Sequence, residues 1–255
     1  MNTNESHPLV SIITIVSNNI TTIRNAIQSV AHQDYNNIEH IVIDNSSTDG
    51  TLEAIYEQES SISLIVSEPD EGIYYALNKG INLSNGEIIG FLNSDDILKS
   101  RVTISKIVNS LLNSKSDAVY GDLQYFSRIR PNVVTRLWKA GKYSKSKIKR
   151  GWMPPHPTFY TYKENYTKFG FFDESYKISS DYEMMLRLLF WHKISTKYIP
   201  EVLVKMQTGG ISNQNLSSMI LKAKEDLRIM KKYNFSLSTL IFKNVSKFTQ
   251  LIVRK

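Results

Sequence analysis

The chain has 255 residues, of which 41% are hydrophobic and 22% are charged, so it can bury the core of one large domain or of a domain with a short extension. It contains no cysteine, which excludes disulfide bonds and thiolate metal sites. No apolar run approaches the ~18 residues that a membrane-spanning helix requires, and the first residues lack the basic start of a secretory signal. We therefore expect a cytoplasmic protein that is neither secreted nor membrane-spanning.

The net charge of +7 is concentrated in one part of the chain. Residues 123–163 contain no Asp or Glu but ten Lys or Arg, more than the whole net charge. Local basicity of this kind indicates an anionic partner, such as a phosphate group or an anionic lipid. Nucleic acid is the weaker alternative and is not expected, because no DNA- or RNA-binding motif accompanies the charge.

The first hundred residues repeat one pattern, in which a short apolar run ends in polar residues and a segment with helical spacing follows. In the second of these helices, Leu52, Ile55 and Tyr56 are predicted to face inward. Strands that are apolar on both faces and alternate with helices predict an α/β fold with a mostly parallel sheet covered on both sides. The four predicted strands are 10–16, 38–44, 62–67 and 87–93.

The second half of the chain is less regular. A further strand is predicted over 117–126, and we interpret the basic stretch after it as a loop or a short helical excursion. Prolines in 154–157 exclude a regular helix there, whereas 181–191 is apolar nearly all round, which is typical of a buried helix. The sequence after residue 191 predicts one or two strands over 193–206, a turn over 209–215 and two final helices.

Polar side chains follow three of the predicted strands, at 44–46, 68–70 and 93–96. Because ligands bind at the carboxyl ends of parallel strands, we expect these groups to share one rim. Asp95 and Asp96 are adjacent carboxylates that repel each other unless a cation or hydrogen-bond donors compensate. Mg²⁺ and Mn²⁺ bind one or two such carboxylates together with phosphate oxygens. The alternative is a solvated turn with a helix N-cap.

Neither of the two common glycine-rich phosphate motifs is present. No G-x-G-x-x-G follows the first strand, and no G-x-x-x-x-G-K-[ST] occurs anywhere. This disfavours dinucleotide dehydrogenases and P-loop enzymes. A metal that bridges a carboxylate and a diphosphate would supply the positive charge that these loops lack.

Five ordered stretches resemble one family: VSIITIVSNN, IEHIVIDNSSTDGT, SEPDEGIYYALNKGI, NGEIIGFLNSDD and HPTFYTY…FGFFDESYKISSDYEMMLRL. Together they resemble the family 2 glycosyltransferases, inverting enzymes of the GT-A fold, most closely the bacterial enzymes that build O-antigen, capsule or exopolysaccharide. The resemblance implies a Rossmann-like domain over 1–212 and a C-terminal extension of amphipathic helices over 213–255. Within the domain, 8–100 would form the nucleotide-sugar half and 101–212 the acceptor half.

The resemblance also implies roles for individual residues. SDD would be the DxD-type motif, in which Asp96 binds Mn²⁺ or Mg²⁺ and Asp95 lies near the ribose or in the metal shell. Asp181 in SSDYE matches the catalytic base, although the sequence alone favours a helix N-cap there. The family pattern commonly has Asp where this chain has Asn45 and Tyr75. The implied nucleotide-sugar-binding residues are Ile15, Asp44, Asn45, Asp70, Asn78, Lys79, Ser94 and Asp95.

Three residues are candidates for the acceptor or its diphosphate. The family places HP-x-x-F near its active site, which makes His156 a candidate, whereas a lone His among prolines is otherwise a structural turn residue. Arg150 and Trp152 precede it in the basic stretch, where an aromatic ring can stack on a sugar, lie at a lipid interface or simply pack.

The end of the chain has an amphipathic pattern with several Lys and Arg. Such a helix can lie on an anionic membrane surface, pack on its own domain or form a homodimer. The resemblance implies a metal-dependent inverting hexosyltransferase that moves a sugar from a nucleotide sugar, expected to be UDP-linked, to a lipid-diphosphate-linked saccharide at the cytoplasmic face of the membrane. The alternative is a catalytically silent nucleotide-sugar or glycan-binding protein with the same fold.

Overall fold

A computed structural model describes residues 7–130, 133–208, 216–236 and 239. The strands in these ranges are β1 (Val10–Val16), β2 (Ile38–Asp44), β3 (Leu64–Ser67), β4 (Ile88–Phe91), β5 (Asp96–Leu98), β6 (Ala118–Phe126), β7 (Val134–Trp138), β8 (Tyr160–Tyr162) and β9 (Thr196–Gln207). The helices are α1 (Ile23–Ala31), α2 (Thr51–Tyr56), α3 (Ile73–Leu83), α4 (Thr103–Ser114), α5 (Lys145–Ile148), α6 (Lys163–Phe169), α7 (Ser180–Met185) and α8 (Leu216–Lys232).

The first four strands form the parallel part of the sheet, in the order β3-β2-β1-β4. β1 and β2 pair along their whole length, from Val10 opposite Ile38 to Val16 opposite Asp44. All four strands therefore point the same way and end at one edge of the sheet, where ligands of parallel sheets bind.

The second half extends the same sheet beyond β4. β8 pairs antiparallel with both β4 and β6, and β6 runs parallel to the long strand β9. β5 pairs antiparallel with the end of β9, and β7 pairs antiparallel with β6. The result is a mixed but mostly parallel sheet that curls, so that β5 and the ends of β6 and β9 lie beyond the carboxyl end of β4.

Helices cover both faces of the sheet because its central strands are apolar on both sides. Successive residues of β1 show this: Ile12 packs into a cluster with Ile104 and Ile107 of α4, whereas Ile13 packs with Leu77 of α3. These side chains are almost fully buried, and each is worth about 1.5–3 kcal/mol when removed from water. The predicted α/β architecture is confirmed.

The predicted helices and strands agree well with the structure in the first half of the chain and less well in the second half. β1 and β2 have the predicted bounds, and β3 and β4 lie inside the predicted ranges. The basic stretch contains the short helix α5, which agrees with the predicted helical excursion. It also contains the strand β7, which the sequence did not predict. The inward orientation of Tyr56 was wrong, since it is 51% exposed at the end of α2.

The buried helix predicted over 181–191 consists of α7 followed by a π-helical segment, Leu186–Trp191. Residues 193–206 lie largely in the single strand β9. The predicted turn over 209–215 and nearly all of the last predicted helix lie outside the described residues. In the described ranges, no helix combines the length and apolar character needed to cross a membrane.

Candidate active site

The loop after β2 is held by the carboxylate of Asp44, which is fully buried. This carboxylate accepts hydrogen bonds from the backbone N–H of Ser47 (3.0 Å) and from the hydroxyl groups of Ser47 (2.5 Å) and Ser67 (2.7 Å). Since Ser67 ends β3, Asp44 joins the ends of two neighbouring strands. The structure thus places Asp44 beneath the rim, where it fixes the shape of the loops that form the rim.

A second polar group lies at the end of β3. The side-chain oxygen of Asn45 accepts a hydrogen bond from the backbone of Asp70 (2.7 Å), and the ammonium of Lys79 lies 2.6 Å from carboxylate oxygens of both Asp70 and Glu68. Burial alone would lower the pKa of Lys79, but these two carboxylates outweigh it and raise that pKa. The other oxygen of Asp70, Oδ2, is buried and has no hydrogen-bond partner in the described ranges, so it can accept a bond from a ligand.

Ser94 connects the loop after β1 to the SDD motif after β4. The amide of Asn19 donates to the Ser94 hydroxyl (2.9 Å), and the hydroxyl of Thr22 donates to the Ser94 carbonyl oxygen (2.8 Å). Ser94 is itself buried. It therefore fixes the position from which Asp95 and Asp96 extend.

The two adjacent carboxylates have different surroundings. Asp96 begins β5, is fully buried and accepts a hydrogen bond from the amide of Asn93 (2.8 Å), whereas Asp95 is only half-buried. Burial and the negative charge of Asp95 raise the pKa of Asp96 well above its usual range. Burial also raises the pKa of Asp95, although the charge of Arg128 opposes the shift. The alternative of a solvated turn capping a helix is wrong, because the next helix begins only at Thr103.

These two carboxylates fit a divalent cation that is shared with a phosphate ligand. Oδ1 of Asp96 is buried without a hydrogen-bond partner in the described part of the chain. Over the same residues, no group of three or more His, Asp or Glu is arranged to hold a metal ion. Mg²⁺ and Mn²⁺ need only one or two protein carboxylates where phosphate oxygens complete the shell, so a pair of this kind is sufficient.

Asp95 opens into a cavity of about 670 Å³ between α1 and the ends of β5, β6 and β9. The size is that of a small-molecule site, and the walls carry amide, hydroxyl and charged groups. The cavity extends along α1, and Asp44, Asp70 and Asp181 do not line it. Its lining residues are Thr21, Thr22, Asn25, Gln28, Ser29, His32, Asp95, Ile97, Phe126, Arg128, Lys205 and Gln207.

Asn78 joins the two halves of the sequence. Its amide donates to the carbonyl oxygen of Phe172 (2.9 Å) and to Glu174 (2.8 Å), and its side-chain oxygen accepts from the backbone N–H of Phe172 (2.9 Å). Asn78 is buried on α3, so its hydrogen-bonding groups face the second half of the chain. The structure gives Asn78 a position that connects α3 to the segment around Phe172, and the nucleotide contact implied by the resemblance stays a prediction.

Asp181 lies in the first turn of α7 and is half-buried. Its carboxylate accepts a hydrogen bond from the adjacent N–H of Tyr182 (2.7 Å), while the N-cap position is Ser179, so Asp181 is not the N-cap. The hydroxyl of Tyr74 on α3 interacts with the backbone at Asp181, and burial together with the negative charge of Asp181 raises the pKa of Tyr74. Asp181 therefore lies against α3, whose preceding loop forms part of the rim.

His156 lies between Asp181 and the end of β4. Its ring stacks on Phe91 at a centroid distance of 5.1 Å and meets Phe172 edge-on at 5.5 Å. Burial lowers the pKa of His156, although the negative charge of Asp181 opposes the shift. Nε2 of His156 is buried without a hydrogen-bond partner in the described ranges. Because Phe91 ends β4 just before the SDD motif, His156 connects the two groups of candidate residues.

The remaining predicted residues are Trp152, Arg150 and Ile15, and the structure gives each of them a different setting. Trp152 donates from its ring N–H to the carbonyl oxygen of Ala140 (2.8 Å) and packs against other aromatic rings, in line with the packing alternative. Arg150 is exposed on the turn after α5. Ile15 lies in β1 opposite Ile43 and packs against the core.

Comparison with known proteins identifies the chain. Residues 11–179 match the glycosyl transferase family 2 model, which is more than half of the chain. The chain belongs to glycosyltransferase family 2. An uncharacterised glycosyltransferase of Mycobacterium tuberculosis is 30% identical over 227 residues, which cover 88% of this chain and 84% of the relative. The predicted family and the predicted transferase activity are thereby confirmed.

Solved structures support the fold of this family 2 glycosyltransferase. TarS of Staphylococcus aureus in complex with UDP-GlcNAc matches with a TM-score of 0.66 and 18% identity over 86% of this chain. The chain spans 66% of that structure and 40% of a longer TarS structure. The mannosyltransferase PcManGT of Pyrobaculum calidifontis, in complex with GDP-Man and Mn²⁺, also gives 0.66, at 17% identity, over 96% of this chain and 70% of its own. At these identities the likeness concerns the fold.

Sequence reasoning missed several residues that build the site of this glycosyltransferase. Tyr74 and Asn19 contact predicted site residues, yet nothing in their spacing marks them. Glu225 on α8 is the largest omission: its carboxylate accepts hydrogen bonds from three successive backbone N–H groups, at 2.7, 3.0 and 2.9 Å. These belong to residues 177–179, directly before α7, so the C-terminal helix holds the segment that carries Asp181.

Proposed function

We propose that this glycosyltransferase moves a sugar with inversion from a nucleotide sugar, UDP-linked, to a lipid-diphosphate-linked saccharide during synthesis of a bacterial surface polysaccharide such as O-antigen. The observation that carries this proposal is the position of Asp181, half-buried beside His156, which stacks on the residue that ends β4. A carboxylate at the start of a helix is thereby held close to the strand that leads into two further carboxylates.

Support for a nucleotide-sugar donor comes from the structural neighbours. One was solved with UDP-GlcNAc and another with GDP-Man and Mn²⁺. In this chain the rim offers Oδ2 of Asp70, which has no hydrogen-bond partner among the described residues, as an acceptor for a ribose hydroxyl or a base N–H. We assign the nucleotide to this side, above the loops that Asp44 and Asn45 hold in place.

Asp95 and Asp96 would hold a Mn²⁺ or Mg²⁺ ion, which supplies positive charge to the departing diphosphate. Asp95 is the more accessible of the two, and Asp96 offers Oδ1, to which no group in the described part of the chain donates. We therefore propose both as ligands. Ser94 orients the pair through its bonds to Asn19 and Thr22.

Asp181 would act as the general base. The acceptor hydroxyl oxygen forms a bond to the anomeric carbon while the bond from that carbon to the donor phosphate oxygen breaks. The hydroxyl proton passes to the Asp181 carboxylate, and the nucleoside diphosphate leaves with the bonding electron pair. His156 has a lowered pKa and stays neutral near pH 7. Its Nε2 has no partner within the described ranges, so it can accept one hydrogen bond from a saccharide hydroxyl or donate one to it.

We further propose that the protein acts at the cytoplasmic membrane face, as a peripheral protein. The basic stretch and the amphipathic C-terminal segment, most of which lies outside the described residues, both favour an anionic surface. A lipid-linked acceptor would be presented at such a surface.

The deciding experiment incubates the protein with a panel of UDP- and GDP-linked sugars and Mn²⁺, with and without EDTA, and measures release of the nucleoside diphosphate. We expect metal-dependent release from a UDP-linked sugar, and loss of at least about a hundredfold in Asp181→Asn with donor binding retained. A silent binding protein would bind the donor but release nothing, with or without a saccharide acceptor. Near-normal turnover in Asp181→Asn would reject Asp181 as the base.

A further inference from the structure

A second cavity, of about 400 Å³, lies near the start of β6 and has a basic rim. We call it the basic pocket. Three of its lining residues are exposed lysines from two separate segments, and three are tyrosines. It is lined by Tyr120, Lys142, Tyr143, Lys193, Ile194, Ser195, Thr196, Lys197 and Tyr198.

The aromatic walls of the basic pocket are held by hydrogen bonds. The hydroxyl groups of Tyr120 and Tyr143 donate to the carbonyl oxygens of Gly141 (3.0 Å) and Leu189 (3.0 Å). These bonds join the segment around residue 142 to β6 on one side and to the π-helical segment on the other. The pocket is therefore built by the fold, and its tyrosine hydroxyls are already engaged.

Two carboxylates that contact lining residues of the basic pocket are engaged as well. Asp122 accepts hydrogen bonds from Tyr198 (2.7 Å) and from the backbone of Ala140 (2.8 Å). Asp117 accepts from both the backbone N–H (2.6 Å) and the hydroxyl (2.7 Å) of Ser195. The described ranges give no ion pair to the three pocket lysines, Lys142, Lys193 and Lys197. Their positive charges are thus available to an anionic ligand.

The surface around the basic pocket also carries exposed cations and aromatic rings. Lys145 and Lys147 on α5 and Lys149 and Arg150 just after it are exposed, and the ammonium of Lys145 lies 5.6 Å from the centre of the Phe190 ring. The neighbouring Trp191 is 63% exposed. An exposed tryptophan beside lysines is typical of protein surfaces that lie at the membrane interface. There the ring enters the headgroup layer and the cations contact lipid phosphates.

We infer that the basic pocket binds the phosphate headgroup of an anionic phospholipid, and that α5 and Trp191 lie on the membrane around it. This inference rests on the proposed membrane location but not on catalysis. It gives that location a defined surface within the described residues. This surface adjoins the start of the amphipathic C-terminal segment, where the hydroxyl of Thr239 donates to the carbonyl oxygen of Lys149 (2.8 Å) and the ring of Phe235 packs on Phe190. Two lysines of one segment and one of another line this pocket, and bilayer phosphates offer the matching negative charge.

The position of the basic pocket relative to the active site supports this orientation. Trp152 packs against two of the three pocket tyrosines, with centroid distances of 5.8 Å to Tyr120 and 6.0 Å to Tyr143. The chain then runs through the proline-rich stretch to His156. A membrane bound at the pocket would thus lie next to the segment that enters the proposed acceptor side, where a lipid-linked saccharide must arrive.

The test measures co-sedimentation of the full chain with vesicles of phosphatidylcholine alone and with vesicles that also contain phosphatidylglycerol. The key variant combines Lys142→Gln, Lys193→Gln and Lys197→Gln, and the matched control combines Lys99→Gln, Arg101→Gln and Lys224→Gln, which remove the same charge from exposed positions outside this surface. We expect binding only to the anionic vesicles, weakened on the order of a hundredfold in the key variant and far less in the control, since each lysine near the surface contributes about fivefold.

Two further arms separate the other outcomes. Trp191→Ala should remove most of the blue shift in tryptophan fluorescence that anionic vesicles induce, while leaving the circular dichroism spectrum unchanged.

Equal losses in both triple variants would mean that net charge alone drives binding, and unchanged binding in the key variant would place the contact elsewhere. Either result overturns the inference. Complete competition by millimolar pyrophosphate would reassign the pocket to a soluble diphosphate. Sedimentation needs no donor sugar, so it is independent of whether the protein transfers sugar.

Discussion

Asn78 on α3 both donates to and accepts from the backbone of Phe172, at 2.9 Å in each case. The pair joins two segments that are 94 residues apart. Phe172 also contacts the rings of His156 and Phe91. One buried amide therefore connects the helix beside the nucleotide rim to the aromatic group next to Asp181.

Replacing Asn78 with alanine should leave both polar backbone groups of Phe172 buried and unsatisfied. We expect a loss of about 2–3 kcal/mol in the free energy of unfolding, since an unpaired buried polar group costs about 1–3 kcal/mol. Urea denaturation measures this loss. Asn113→Ala, at an exposed position of α4, is the control and should change stability by less than about 0.5 kcal/mol. A similar effect in both variants would show that the connection contributes nothing.

Glu225 should act as a positioning residue for Asp181. Glu225→Gln keeps one acceptor oxygen but loses the charge that holds three successive N–H groups, so the start of α7 should shift or loosen. We expect kcat to fall by about tenfold to a hundredfold while KM for the donor stays unchanged, because small displacements of a catalytic group have large effects. Steady-state kinetics with Lys224→Gln, the adjacent exposed residue, provides the control. A rise in KM at constant kcat would contradict the positioning role.

The extent to which the sequence predicted this site depends on how local each feature is. β1 and β2 were placed correctly because a run of β-branched residues marks a buried strand by itself. The positions of Asp70 and Asp95 just after β3 and β4 also agree with the sequence, because they depend only on where the strands end; their roles stay predictions. In contrast, the strand β7 was missed, because its residues lie in a basic stretch and it forms by pairing with β6.

Contacts between distant segments explain the remaining differences. Asp44 is a carboxylate at the end of a strand, as a ligand-binding residue often is. Its oxygens nevertheless accept hydrogen bonds from Ser47 and from Ser67 of the next strand. Glu225 lies in an ordinary amphipathic helix, and only the packing of that helix brings it to residues 177–179. No spacing within the sequence encodes such a partner, so burial and partner choice had to come from the structure.

Asp96→Asn should stabilise the metal-free protein and at the same time abolish most of its activity. Burial and the charge of Asp95 raise the pKa of Asp96, so its ionised form is disfavoured in the folded, metal-free protein. It follows that the metal-free protein loses stability as the pH rises through the folded-state pKa of Asp96. Asparagine removes this cost, and we expect a higher midpoint of thermal unfolding without metal, together with at least about a hundredfold loss of transfer.

Thermal unfolding with and without Mn²⁺ and UDP checks this separation. The wild type should be stabilised by the added metal and nucleotide, because ligands that bind only the folded state raise its stability, whereas Asp96→Asn should not respond. Glu59→Gln, at an exposed position, is the control and should respond as the wild type does. Full activity of Asp96→Asn would exclude Asp96 as a metal ligand.

His40 should make the fold sensitive to acid. It is buried in β2, its Nε2 lies 3.0 Å from the hydroxyl of Thr14, and burial lowers its pKa to about 4. In the unfolded chain a histidine titrates near 6.5, so as the pH falls from about 6.5 toward 4 the unfolded state takes up a proton that the folded state does not. The stability lost through His40 should reach about 2 kcal/mol at about pH 5, and none should be lost at about pH 7.5. Urea denaturation at these two pH values measures the difference. His40→Gln should reduce the measured difference by about 2 kcal/mol, whereas His32→Gln, at an exposed position, should leave the difference unchanged.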